Sequence, residues 1–258
     1  MTIVVAYKWA PNPQDAVVGA GGSVDFSRAK ATISEYDPVA FELARRLGDA
    51  TGAEVVGVTV GDDSIDTSLA RKAALSRGLD RLLIVADDRL AGADGTRLAA
   101  VLAAVVRGIG DVDLVLAGES SVDVNEGQVA MTLAGQLGWL GLTAVSAVAA
   151  ADGGYAIERD VPSGTASLVL TGPAVLAATA DAVLPRVPGM KDILGAAKKP
   201  VEVLALDALD LPAAGATLTA VSASRPAAGN RRSVIIDGTD AGAAAAELVG
   251  TLRAAKIL

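Results

Sequence analysis

The feature that most constrains this chain is a regular exchange between short β-branched runs and longer stretches whose apolar residues recur at helical spacing. Ile3 to Tyr7, Glu54 to Val60, Arg81 to Ala86 and Asp113 to Ala117 read as strands. Their nearly continuous hydrophobicity is the kind buried on both faces of a parallel sheet. Between them lie helical patterns. Asp37 and Pro38 supply an N-cap and a proline at the first helical position, after which Val39, Ala40, Leu43, Ala44 and Leu47 share one face. A second helix is expected from Ser64 to Arg77, closed by Gly78, and a third from Asp94 to Val106. This order predicts an α/β, Rossmann-like fold, a largely parallel sheet with helices on both faces.

From Leu142 onward the strand signals crowd together: Leu142 to Val148, Tyr155 to Asp160, Ala166 to Leu170 and Ala174 to Ala178, with Asp152-Gly153-Gly154 and Ser163-Gly164 as turns. A β-rich extension of the sheet is expected there. Pro185 to Pro200 carries Pro-Arg-Val-Pro-Gly and Lys-Lys-Pro and reads as an exposed loop. Past Leu209 the chain becomes rich in Ala, Gly, Ser and Pro until a final helix from Asp240 to Lys256, with Ala244, Leu248 and Leu252 at helical spacing. The organisation expected is one α/β domain over residues 1–209 and a C-terminal arm over 210–258, whose small core of its own suits it to lie against a partner.

Composition narrows the chemistry. The 258 residues include no histidine and no cysteine, so disulfides, thiolate or imidazole metal sites and Ser-His-Asp or cysteine nucleophiles are excluded. Reactivity has to come from carboxylates, lysines, hydroxyls or backbone, or be borrowed from a cofactor. A net charge of -8 and 3% aromatic residues argue against a nucleic-acid partner, which calls for a basic face and rings to stack on bases. The apolar run from Leu98 to Val106 is bracketed by Arg97 and Arg107 and falls short of the roughly 20 residues needed to span a bilayer. With no charged leader or apolar signal core before Thr2, the expectation is a cytoplasmic protein without direct membrane insertion.

Gly19-Ala20-Gly21-Gly22 superficially suggests a dinucleotide loop. Val24 stands where G-x-G-x-x-G needs its last glycine, and Asp25-Phe26-Ser27 does not open a helix, so a hairpin or surface loop is the better reading. More informative is the stretch after the fourth strand: Gly118, Glu119, Ser120, Ser121, Val122, Asp123, Val124, Asn125, Glu126, Gly127, Gln128 and Val129. In an open parallel sheet, ligands bind beyond the carboxyl ends of the strands, where helix N-termini favour phosphate. Gly118 admits a close backbone approach, Asp123 can cap a turn or accept from a sugar hydroxyl, and Gly127 to Val129 present main-chain donors. An ordinary polar loop fits the same residues. Asp62-Asp63 and Asp87-Asp88 are better read as solvated turns than as paired catalytic acids or a Mg²⁺ site. Lys198-Lys199 is better read as solvated than as anion-binding. Trp9 suits either cofactor stacking or the top of the sheet.

Four separated segments carry a further signal. Ile3 to Pro13, Ile33-Ser34-Glu35-Tyr36-Asp37-Pro38, Gly118 to Trp139, and Pro188-Gly189-Met190-Lys191-Asp192-Ile193-Leu194-Gly195-Ala196-Ala197-Lys198-Lys199-Pro200 together resemble the β subunit of electron transfer flavoproteins, and most closely its FixA-type branch. The resemblance implies a heterodimer with a FixB-type α subunit. In such a dimer the α subunit supplies most of the electron-transferring FAD site, and the β subunit holds AMP or, in bifurcating members, a second FAD. Carried onto this chain, the adenine nucleotide pocket would use Ala6, Ser34, Glu35, Tyr36, Asp37, Val60, Gly61 and the loop from Gly118 to Val129. Met190 and Lys191 would lie in the loop that anchors a dehydrogenase, and Asp160 would contact the α subunit.

Two departures from the family pattern bear on the cofactor. Where housekeeping members carry Asn-Gln-Thr, with the threonine hydroxyl on the AMP phosphate, this chain has Gly127-Gln128-Val129, and valine offers no hydroxyl. That resembles the second-FAD branch and favours FAD over AMP in the β pocket. Glu158-Arg159-Asp160 is retained, but Val161 to Ala166 lacks the family's acidic cluster. The implied function is electron carriage from acyl-CoA or other flavin dehydrogenases to a quinone oxidoreductase, or within an NADH-dependent bifurcating complex, with no catalytic residue of its own. The rival readings are a stand-alone ATP- or AMP-binding stress-type module and a nicotinamide-dependent dehydrogenase, the latter disfavoured by the missing glycine motif.

Overall fold

The computed structural model describes residues 1–19, 22–213, 218, 221, 229 and 231–258. Its strands are β1 (Thr2–Ala6), β2 (Trp9–Pro11), β3 (Val17–Val18), β4 (Val24–Asp25), β5 (Ala31–Ile33), β6 (Glu54–Gly61), β7 (Arg81–Ala86), β8 (Val112–Gly118), β9 (Leu140–Ala151), β10 (Gly154–Val161), β11 (Gly164–Leu170), β12 (Ala174–Ala178) and β13 (Val201–Val203). Its helices are α1 (Pro38–Thr51), α2 (Ser68–Leu75), α3 (Gly95–Ile109), α4 (Val129–Leu137), α5 (Met190–Ala196) and α6 (Ala241–Ala254). Nine strands form one sheet in the order β11-β10-β9-β12-β8-β1-β6-β7-β13. β9, β12, β8, β1, β6, β7 and β13 run parallel, while β10 pairs antiparallel with β9 and β11 antiparallel with β10. This is the expected α/β, Rossmann-like architecture with a β-rich extension.

All five residues of β1 are buried, and they divide by the pleat of the strand. Ile3 and Val5 join the core under α1 with Val39, Phe41, Leu43 and Leu47, whereas Val4 and Ala6 join the core under α3 with Val101, Leu102 and Val105. Helices therefore cover both faces. The chain moves from β1 outward through β6 and β7 and then returns to the other side of β1 as β8, which makes the carboxyl ends of β1 and β8 the switch point of the sheet.

Several local expectations are corrected. The second helix does not start at Ser64: Asp62 caps a separate 3₁₀ turn at Asp63–Ile65, and Thr67 then accepts from Ala70 N–H to open α2. Asp37 occupies the N-cap position of α1, but its side chain makes no cap bond to the first turn, because the carboxyl group is used elsewhere. The stretch from Pro185 to Pro200 is not all loop. It holds α5, opened by Gly189, whose N–H donates to Asp192 Oδ2 at 3.0 Å, and anchored by buried Ala196. Lys199 is not merely solvated, since Nζ donates to the carbonyl oxygens of Leu75 (3.1 Å) and Leu79 (2.5 Å) and so closes the end of α2.

β3 and β4 pair as the hairpin expected around the glycine cluster, of which Ala20 and Gly21 lie outside the described residues. Asp62 and Asp87 accept from Ser64 and Arg89 N–H, as turn residues do. The chain divides into two units, Met1–Ala223 and Ser224–Leu258. In the second, Asp240 caps α6 through the N–H groups of Gly242 and Ala243, and no residue of that helix is buried. Parts of the Ala-, Gly-, Ser- and Pro-rich stretch before it lie outside the described residues.

Candidate functional site

A cavity of about 610 Å³ opens at the switch point. Its walls are the exits of β1, β6 and β8 and the N-terminal turns of α3 and α4. The two helix ends differ. Asp94 caps α3 by accepting from Arg97 N–H at 2.8 Å, whereas Gln128 makes no side-chain cap on α4. First-turn N–H groups of α4 are thus left for whatever enters, and they carry the positive end of the helix dipole.

The turn feeding α4 is shaped by local bonds. Asn125 (φ 55°) and Gly127 (φ 65°) both adopt the left-handed region, and Asn125 N–H donates to Ser121 O at 3.0 Å. Ser120 Oγ donates to Asn125 Oδ1 at 2.7 Å. Glu119 reaches back to the neighbouring strand, its N–H donating to Ala178 O at 3.1 Å and its Oε1 accepting from Ala180 N–H at 3.3 Å. At the far side, Ser34 is fully buried and its Oγ accepts from Val122 N–H at 3.3 Å.

Asp37 holds the crevice together. Its Oδ2 accepts from Lys8 N–H at 2.8 Å and its Oδ1 from Gly118 N–H at 3.2 Å, so one carboxylate joins the exits of β1 and β8. Burial pushes its pKa up to about 7, only partly offset by those two N–H donors. Gly118 is required here, because a Cβ would stand 2.4 Å from Tyr36 O and 2.8 Å from Asp37 Oδ1. Across the mouth, Lys8 Nζ meets both oxygens of Asp123, at 2.9 and 2.7 Å. Burial opposes the charge on Asp123, but the Lys8 ammonium prevails and holds its carboxyl below the usual range.

Most of the residues singled out in sequence come together on this cavity. Ala6, Asp37, Val60, Gly61, Gly118 to Ser121, Asp123, Val124 and Glu126 to Val129 line it. Ser34, Glu35, Tyr36, Val122 and Asn125 do not: Ser34, Val122 and Asn125 brace the loop, Tyr36 O backs Gly118, and Glu35 is exposed. Trp9 does both things open to it, lining the cavity while 8% exposed in the core. Met190 is 72% exposed at the start of α5, Lys191 follows it on the surface, and Asp160 is exposed on β10.

Sequence reasoning missed Lys8 and the α3 wall formed by Asp94, Gly95, Leu98 and Leu102. The position of α3, after a strand and opening on the turn capped by Asp94, was the signal for that wall. No helix of the described residues is long and apolar enough to cross a membrane, and no group of three or more metal-ligating side chains occurs among them. One comparison with known proteins bears on this geometry: the family model of the electron transfer flavoprotein domain matches residues 22–209, more than half of the 258-residue chain, taking in the loop from Gly118 to Val129 and α5.

Proposed function

The chain belongs to the electron transfer flavoprotein domain family, and from that premise we propose that it is the β subunit of a FixA-type heterodimer. In this reading the cavity at the switch point holds an adenine nucleotide, and a FixB-type α subunit completes the electron-transferring FAD site. The observation that carries it is the uncapped N-terminus of α4 facing a 610 Å³ cavity, where main-chain N–H groups can hold a phosphate.

FAD is favoured over AMP. Val129 offers no hydroxyl to a terminal phosphate, and the cavity extends past the loop onto the apolar side chains of Leu98, Leu102 and Leu133. Nucleotide pockets combine such apolar walls with a few placed polar groups. Asp123 would accept from a sugar hydroxyl and the first turn of α4 would hold the pyrophosphate. The flavin, when bound, supplies the electron-carrying chemistry, and the protein supplies position and environment. The domain over 1–209 would serve this site. The arm over 210–258 would pack on the α subunit, as suits a terminal helix with no buried residue. Met190 and Lys191 on α5 would dock an acyl-CoA or other flavin dehydrogenase, with a quinone oxidoreductase as acceptor, and Asp160 would touch the α subunit. A cytoplasmic location and a place in an NADH-dependent bifurcating complex complete the proposal.

Coexpression with the α subunit tests it. The expected result is a yellow complex that releases FAD in excess of a single equivalent per dimer, while the chain expressed alone is colourless or poorly flavinylated. Release of AMP together with a single FAD overturns the second flavin, and a stable, fully yellow monomer overturns the subunit assignment.

A further inference from the structure

The charge balance of the cavity is opposite to what a phosphate needs. Among the described lining residues Lys8 is the one cation, against the carboxylates of Asp62, Asp94, Glu119, Asp123 and Glu126 and the buried carboxyl group of Asp37. Backbone N–H groups of α4 alone would have to hold an anion against that field. The ammonium of Lys8 is meanwhile committed to Asp123.

The two partners are held differently. Lys8 is fixed on both sides of its backbone: its N–H donates to Asp37 Oδ2 at 2.8 Å and its carbonyl accepts from Ser34 N–H at 2.9 Å. Asp123 follows Val122, whose N–H is held by Ser34 Oγ. What remains free to move is the four-carbon stem of Lys8, which ends in a rotatable triple donor. Its side chain is 33% exposed at the cavity mouth, against 17% for Asp123. Lys8 is thus partly open to solvent, which weakens its hold on Asp123 and leaves the ammonium able to turn toward what enters the cavity.

Resting on the nucleotide reading above, we propose that Lys8 sets phosphate specificity by exchange: its ammonium leaves Asp123 for the incoming phosphate, and Asp123 competes with the ligand for the same cation. Released from Lys8, the Asp123 carboxylate can accept from a hydroxyl of the ligand's sugar. Because Lys8 prevails over burial in keeping Asp123 ionised, the competition is one of charge against charge.

The measurement is calorimetric titration of AMP and of adenosine into the full-length chain freed of nucleotide, comparing the ratio of the two affinities. In Lys8→Met the preference for AMP falls by about tenfold or more, equivalent to ~1.4 kcal/mol, while adenosine affinity stays within about threefold. Lys8→Arg keeps the preference within about threefold. Asp123→Asn raises the preference by about threefold or more, and the double variant matches Lys8→Met. A ratio unmoved by Lys8→Met with adenosine still bound overturns the exchange, as does a loss in Asp123→Asn equal to that in Lys8→Met, which would make the pair a structural clamp. A wild-type chain that binds neither probe overturns this inference, and one that fails to bind FAD as well overturns the nucleotide reading with it.

Discussion

β8, in the middle of the sheet, buries every residue except Asp113, whereas β11, at the edge, buries only Leu170. Both are seven residues long, and both carry apolar side chains. The difference is what lies above and below: β8 is flanked by two parallel neighbours and by helices on both faces, while β11 has β10 on one side and an open edge among the described residues. Leu168 and Val169 are left 38% and 67% exposed there. The parallel centre is thus complete in itself and positions the cavity. The antiparallel extension presents an edge that a protein does not normally leave bare.

The comparison fails if the centre tolerates truncation as well as the edge does. Leu116→Ala, at a fully buried site of β8, is expected to cost about 2–5 kcal/mol in chemical denaturation, through lost apolar burial and the cavity left behind. Next in size is the pH dependence set by Asp37. The pKa of about 7 in the folded chain lies above the ordinary 3.8, so the folded state retains the proton where the unfolded state has lost it, and stability falls as pH rises between those values. Relative to Asp37→Asn, wild type should lose about 1.4 kcal/mol per pH unit across that window and run parallel to it above pH 7. A constant offset between the two denaturation series would show that Asp37 is not protonated in the fold.

Smaller effects sharpen the boundary between the two regions. β9 pairs in parallel with β12 from Leu140 to Val145 and antiparallel with β10 from Val145 to Ala151, and next to the residue shared by both ladders Ala144 has φ 55°. The register shifts on both neighbouring strands at this point, between Leu176 and Ala178 and between Glu158 and Arg159. Ala144→Gly is expected to stabilise by up to about 1 kcal/mol, because glycine occupies that region without the Cβ penalty. Val169→Ala on the exposed edge should change the stability of the isolated chain by less than about 0.5 kcal/mol. A cost near that of Leu116→Ala would mean that the edge is covered in solution by the chain itself or by another copy.

Where burial is two-sided, the sequence was easiest to read. The runs at Arg81 to Ala86 and Ala174 to Ala178 are strands with those same limits, because apolar continuity and flanking turn residues agree there. The α4 loop was legible through its place in the βα order rather than through any motif. What escaped was set by contacts distant in sequence. Nothing near Asp37 announces that its carboxylate serves Lys8 and Gly118 instead of capping its own helix. Lys8 is a single basic residue after a strand and acquires meaning only when the α4 loop brings Asp123 to it. α5 was hidden because Gly189, Gly195 and the flanking prolines read as loop, and only the side-chain bond from Asp192 reveals a helix start.

The double acceptance by Asp37 has a mechanical consequence. Neighbouring strands at a reversal of sheet order send their chains apart and leave a gap between their exits. A buried carboxyl group tied to the main chain on each bank fixes that width beforehand. Under the nucleotide reading proposed above, discrimination among ligands would then fall to the groups at the rim that are free to swing, while the banks stay put.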